Sequence, residues 1–277
     1  METRIKISGI QLAAAADVET NVKKATELVH IAADEGASII CLSELFNTPW
    51  FPYSIDPAAF AMAEPEDGPT VTALREAAGR DGVAIVGDIF EKDGDEHYNT
   101  AFVIGPDGAT AGKYRKIHVP QIPLWEEKTY FKPGDLGFGV FDTPFARVGV
   151  QICWDIFFPE GFRILALKGA EVVFCPTASA FEHSRRKWER AISAAAHANG
   201  LFIMRVNRVG KESRQEFYGR SFCVGPDGEL KGEPSGSSVG VVLAEIDRAE
   251  IARTRKEWSF LKDRRPGDYG ELLEANG

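Results

Sequence analysis

From Ile5 to Leu12, apolar side chains alternate with small or polar ones, the period of a strand. The period then changes. Val18, Val22, Ala25, Leu28, Val29 and Ala32 recur at helical spacing, which predicts a helix over 17–35 that Gly36 stops. Ser38 to Leu42 is short and almost entirely apolar, as expected of a strand covered on both faces. It ends at Ser43 and Glu44, and an unusually apolar connection, Phe46 to Tyr53, follows. The succession then returns, with a helix over 69–79 and strands over 83–90 and 100–105. Pro106, Asp107 and Gly108 form a turn, and 113–119 continues out of it. In the second half the pattern predicts a strand over 145–152, a helix over 159–168 closed by Gly169, and a strand over 171–175. A helix over 184–199 ends at Gly200. Strands over 201–207, 217–224, 229–231 and 241–246 come next, then a last helix over 248–257.

Buried strands alternating with amphipathic helices define an α/β chain. One internal echo refines this: Ala101-Phe-Val-Ile-Gly-Pro-Asp-Gly108 is similar to Ser221-Phe-Cys-Val-Gly-Pro-Asp-Gly228. One reading is chance reuse of a good hairpin turn. The other is a pseudo-symmetric fold of two equivalent, mostly parallel or mixed sheets with helices outside, a four-layer αββα sandwich. No break in composition divides the chain, so residues 1–277 read as a single domain, with 258–277 a tail and the last ten residues its one candidate for disorder.

The 277 residues are 44% apolar, enough for a large core, and carry a net charge of −9, which argues against a nucleic-acid footprint. No run approaches the roughly 18 apolar residues of a membrane span, and the start, Met-Glu-Thr-Arg-Ile-Lys-Ile, is unlike a signal peptide. A cytoplasmic protein is the default expectation, and Cys41, Cys153, Cys175 and Cys223 then read as thiols. The five histidines are scattered and no Cys-x-x-Cys occurs, so neither a metal nor a cofactor is expected.

Three polar residues stand where buried runs end. Cys153 follows the strand Val-Gly-Val-Gln-Ile and precedes the helix near Pro159; such an elbow lifts a side chain into a pocket and directs backbone N–H groups at it. On residue type alone it is equally a buried structural thiol, the reading preferred for Cys41, Cys175 and Cys223. Glu44 closes the run Ser-Ile-Ile-Cys-Leu, where shielding would suit a general base, although a solvated loop acid fits as well. Lys116 lies between Tyr114 and Ile117-His118-Val119-Pro120, placed either to hold an oxyanion or simply on the surface.

Together these segments resemble the nitrilase superfamily of carbon–nitrogen hydrolases. Ser43-Glu44-Leu45-Phe46 resembles its glutamate motif, Lys113-Tyr114-Arg115-Lys116-Ile117-His118 its lysine motif, and Val150-Gln151-Ile152-Cys153-Trp154-Asp155 its cysteine elbow. The resemblance implies a Glu44–Lys116–Cys153 catalytic set, with Cys153 the nucleophile. It also implies the αββα subunit, pairing into homodimers or larger even oligomers, and a tail at the subunit contact. Glu126-Glu127-Lys128-Thr129-Tyr130-Phe131 resembles the segment that carries a second glutamate in amidase members, which makes Glu127 the fourth catalytic candidate; the other reading is a solvated acid. His118 is expected to support Lys116.

The expected substrate is a small amide or N-carbamoyl compound, with ω-amide or nitrile hydrolysis the alternative within the family and a non-catalytic scaffold the alternative outside it. Pro123-Leu-Trp-Glu-Glu-Lys128, Cys153-Trp-Asp155, Lys168-Gly-Ala-Glu-Val172 and Cys175-Pro-Thr-Ala178 resemble the members that act on N-carbamoylputrescine. Asp155 after Cys-Trp is unlike the true nitrilases. The segment after Ala178 is shorter than in the putrescine members, and the rings around the elbow imply a more apolar substrate arm, unless they belong to the core or a dimer contact. The candidate substrate contacts are Trp154, Asp155, Phe157, Glu182 and Trp188.

Overall fold

Asp17 caps the first helix, its carboxylate accepting the Thr20 amide at 2.7 Å. The computed structural model describes residues 3–212 and 214–274; the last three residues of the expected tail lie outside them. The first half runs β1 (Arg4–Gln11), α1 (Val18–Asp34), β2 (Ala37–Leu42), α2 (Pro69–Asp81), β3 (Ala84–Asp93), β4 (Glu96–Ile104) and β5 (Thr110–Arg115). The second half runs β6 (Val140–Asp142), β7 (Arg147–Val150), α3 (Pro159–Leu167), β8 (Val172–Thr177), α4 (Arg185–Asn199) and β9 (Phe202–Asn207). It continues with the hairpin β10 (Val209–Glu212) and β11 (Gln215–Tyr218), then β12 (Phe222–Val224), β13 (Gly240–Asp247) and α5 (Ala249–Glu257).

Two mixed sheets result, in the orders β13-β1-β2-β3-β4-β5 and β12-β9-β8-β7-β6. The two faces of the first sheet separate by the strand period of two. Ile39, Cys41, Ala84 and Val86 join the core shared with the second sheet, whereas Ile40, Leu42, Val83 and Ile85 pack beneath α1 and α2. The shared core continues through the second sheet to Phe162 and Leu165 of α3 and Ile192 of α4. The layers are therefore helix, sheet, sheet and helix, the αββα sandwich that the sequence predicts. Contact between the sheets is close at β1, where a Cβ on Gly9 would come within 2.7 Å of Val206 Cγ2.

The internal echo is structural. In each sheet three neighbouring parallel strands, β1-β2-β3 or β7-β8-β9, are flanked by antiparallel ones. The two Gly-Pro-Asp-Gly turns end corresponding strands, β4 and β12, with the same bonds. Gly108 donates to Gly105 and Gly228 to Gly225, both at 2.9 Å, while Asp107 and Asp227 accept the amides of Ala109 and Glu229. Gly108 and Gly228 take φ of +77° and +86°, conformations that favour glycine.

Several expected boundaries are corrected. The apolar run 217–224 is two strands in different sheets, because Gly219 and Arg220 adopt φ of +67° and +56° and turn the chain between them. Only Leu230 of 229–231 pairs, in a single bridge with Val224. The run 145–152 is strand only over Arg147–Val150, and β6 and β10 carry no pattern strong enough to predict them. Residues 266–268 and 270–273 of the tail form short 3-10 turns. The apolar connection after Glu44 is buried: Leu45, Trp50 and Phe51 pack with Phe90, Trp125, Tyr130, Phe131 and Phe217 in a third cluster.

Candidate active site

Strand ends deliver the polar residues to one place. Glu44 lies two residues beyond β2, Lys116 directly follows β5, Cys153 stands three beyond β7, and Glu127 opens a 3-10 turn. All four are buried. Lys116 Nζ donates to Glu44 Oε1 at 2.7 Å and to Glu127 Oε2 at 2.5 Å, so one ammonium joins two carboxylates away from water. The second oxygen of each carboxylate, Glu44 Oε2 and Glu127 Oε1, is buried without a protein partner.

The charges decide what each group can do. Burial and the nearby Glu44 carboxylate push the Cys153 thiol well above its ordinary range, with Lys116 only partly opposing them. Cys153 is therefore a thiol at neutral pH and needs a base before it can attack. Burial acts to discharge Lys116, but Glu127 and Glu44 overcome it and hold the ammonium well above its usual pKa. Burial pushes Glu127 up to about 8 against the pull of Lys116, with Glu44 adding to the rise.

The elbow differs from expectation in its geometry. Cys153 sits at φ +47° and opens a 3-10 turn, Cys153–Phe157; α3 starts only at Pro159. A non-glycine residue in that region is uncommon and costs about 1–3 kcal/mol. Asp155 holds the turn. One oxygen accepts the Ile152 amide at 3.0 Å and the Tyr114 hydroxyl at 2.8 Å, and the other accepts the His118 amide at 2.9 Å and its Nδ1 at 2.7 Å. This corrects two expectations. Asp155 is buried with both oxygens engaged and does not face substrate; it ties the lysine segment to the cysteine elbow. His118 supports Asp155 rather than Lys116, with its ring stacked on Phe158.

Other supporting residues escape a sequence reading. Asn99 donates to Glu44 Oε1 at 2.9 Å. Arg208 donates to the carbonyls of Glu44, Leu45 and Thr48 while pairing with Glu212, which in turn accepts the Trp50 amide. Buried Asp88 accepts the Leu45 amide at 2.8 Å. The available signal was polar residues inside apolar runs, as in Phe202-Ile-Met-Arg-Val-Asn-Arg-Val209, but nothing there names their partners. Cys41, Cys175 and Cys223 lie on β2, β8 and β12 inside the core.

Cys153 opens on a cavity of 410 Å³, walled by Trp125, Trp154, Phe157, Phe181 and Trp188 among others. Trp154, Phe157 and Trp188 line it. Glu182 does not: it is exposed and pairs with Arg185, which corrects its assignment as a substrate contact. Among the described residues, no group of three His, Cys, Asp or Glu side chains is disposed to hold a metal ion, and no helix is long and apolar enough to cross a membrane.

A family model described as carbon–nitrogen hydrolase matches residues 6–256. The chain belongs to the carbon–nitrogen hydrolase family. This hydrolase is 40% identical to the N-carbamoylputrescine amidase of Arabidopsis thaliana, over 99% of the chain and 96% of that protein. Its fold superposes on a carbon–nitrogen hydrolase from Helicobacter pylori with a TM-score of 0.95 and 32% identity, covering 99% of this chain and all of that one. It is also similar (TM-score 0.83, 25% identity, 97% of both chains) to a mutant amidase from Nesterenkonia sp. AN1 that carries the acetamide moiety of fluoroacetamide on its active-site cysteine.

Glu127 gives the hydrolase a testable pH dependence. Its folded pKa, about 8, lies above the ordinary carboxylate value of 4.5. The protonated side chain therefore contributes stability that is fully present below about pH 4.5 and lost as pH rises through about 8. Thermal unfolding should show Tm falling between about pH 5 and 8, with Glu127→Gln flattening that slope. An unchanged slope in the variant would assign the proton elsewhere in the cluster.

Proposed function

We propose that this hydrolase cleaves the carbon–nitrogen bond of a small amide or N-carbamoyl compound through a thioester on Cys153. Glu44 takes the thiol proton as sulfur attacks the carbonyl carbon, and Lys116 with the Trp154 amide holds the oxyanion. Collapse breaks the carbon–nitrogen bond, and Glu44 returns its proton to the leaving nitrogen. Glu44 then activates water, whose attack releases the acid and restores the thiol. From an N-carbamoyl amine the product is carbamic acid, which decays to carbon dioxide and ammonia. Glu127 fixes Lys116 throughout.

The observation that carries this reading is a protonated, buried Cys153 lining an open cavity, beside a carboxylate with one free oxygen and a retained ammonium. The names of the relatives agree with the substrate class. Ammonia release from N-carbamoyl amines, N-carbamoyl acids, ω-amides and nitriles, with mass spectrometry of the trapped adduct, tests it. The adduct is expected on Cys153; an adduct on Cys41, Cys175 or Cys223 would overturn the assignment.

The whole chain acts as one catalytic domain in this reading, and its tail joins subunits into a homodimer or larger even oligomer. Exposed Trp258, Phe260, Leu272 and Leu273 support that role. Four thiols without a disulfide fit a cytoplasmic setting.

A further inference from the structure

The wall of the cavity away from Cys153 is built from rings and hydrogen-bond donors. Ser179, His183, Ser184 and Lys187 are its polar side chains, and among the described residues no carboxylate lines it. The acids nearest in sequence are already committed on the protein side, Glu182 to Arg185 and Glu189 to Arg220 at 2.6 Å. Lys187 has no ion-pair partner among the described residues and stands exposed at the rim.

Behind this wall lies a buried cation. Arg205 is fully enclosed, meets no carboxylate among the described residues, and leaves its Nε without a hydrogen-bond partner. Its Nη1 donates to the Arg220 carbonyl at 3.1 Å and its Nη2 to the Tyr218 hydroxyl at 3.3 Å. Tyr218 and Ser179 hydroxyls are 2.8 Å apart. With the tyrosine oxygen accepting from arginine, its proton can go to Ser179 Oγ, and the serine hydroxyl can donate to Ser184 Oγ at 3.4 Å or into the cavity. The chain of donors thus carries the positive end of Arg205 to the cavity wall.

Aromatic walls would normally attract an ammonium through their π faces. Here part of those faces is already engaged. Arg205 lies 4.9 Å from the Trp188 ring centroid, Phe157 packs on Trp188 at 4.6 Å, and Trp125 packs on Phe181 at 4.4 Å.

We propose that the far end of this cavity binds a carboxylate through Lys187 and the Ser179 hydroxyl, so that the preferred substrates are amide or N-carbamoyl compounds with an apolar arm ending in an acid rather than an ammonium. The inference rests on the hydrolase reading above and departs from the diamine named in the Arabidopsis relative. A terminal ammonium in the same place would meet Lys187 with no acid to offset it.

The test is kcat/KM on three N-carbamoyl compounds that share one methylene arm and differ at its end: N-carbamoyl-5-aminopentanoate, N-carbamoylpentylamine and N-carbamoylputrescine. The carboxylate is expected to lead the ammonium by about tenfold or more, and Lys187→Glu to lower that ratio by a similar factor. Ser179→Ala should lower the carboxylate rate through KM. Equal or faster turnover of the ammonium compound overturns the inference and leaves the hydrolase reading standing. So does silence on all three while Cys153 is still alkylated by iodoacetamide. Silence on all three and on primary amides, with Cys153 unlabelled, overturns both.

Discussion

Replacing Glu44 by Gln is expected to lower kcat by about 10³–10⁴-fold, the upper range for loss of a general base, while Cys153 remains open to alkylation. The side chain keeps its size, and its carbonyl oxygen can still accept from Lys116 and Asn99, as Glu44 Oε1 does at 2.7 and 2.9 Å. What disappears is the free oxygen that would take the thiol proton. The charge disappears with it. After burial, the Glu44 carboxylate is the main influence raising the Cys153 pKa, so its removal lowers that pKa. Turnover and thiol reactivity should therefore separate. Ammonia release collapses, while the pH midpoint of iodoacetamide labelling moves down from its wild-type position. A purely structural role for Glu44 would depress both together. Retention of activity within about tenfold of wild type would transfer the base role to another residue.

How much of this was legible in the sequence depended on the range of the interaction. The elements followed from local periodicity. The two sheets followed from a repeated Gly-Pro-Asp-Gly turn whose bonds the structure reproduces in both halves. Glu44, Lys116 and Cys153 were visible because each closes or follows a buried run, although the first two are 72 positions apart. Their support was invisible. Arg208 reaches back 164 positions to the Glu44 carbonyl, and its place in an apolar run does not name that partner. Asp155 was misread because an acid beside a nucleophile fits substrate contact and scaffold equally; only its four donors decide. Glu182 shows the reverse error, an acid in a plausible loop that faces solvent. The 217–224 run failed because a positive φ at Arg220 leaves no mark on a hydrophobic pattern.

Lys116→Met should abolish measurable turnover and destabilise the fold, and the two effects can be taken apart. Loss of one oxyanion donor alone costs about 10²–10³ in rate. Here the loss is compounded, because the buried Glu44 carboxylate loses its cation and Glu127, protonated below about pH 8, loses the partner that holds its pKa down. Without that pull Glu127 holds its proton to still higher pH, and a proton passed to Glu44 removes the base as well. Breaking a buried ion pair from one side costs about 3–5 kcal/mol, partly offset here by that proton uptake. Urea unfolding should therefore show a lower midpoint at neutral pH that recovers as the pH is lowered. Adding Glu127→Gln replaces that carboxyl by a group that needs no proton to stay buried. The double variant should regain much of the stability at pH 7 and none of the activity, since the ammonium is still missing from the oxyanion site. If activity returned together with stability, Lys116 would be a structural counterion and the oxyanion would belong to the backbone of the elbow alone.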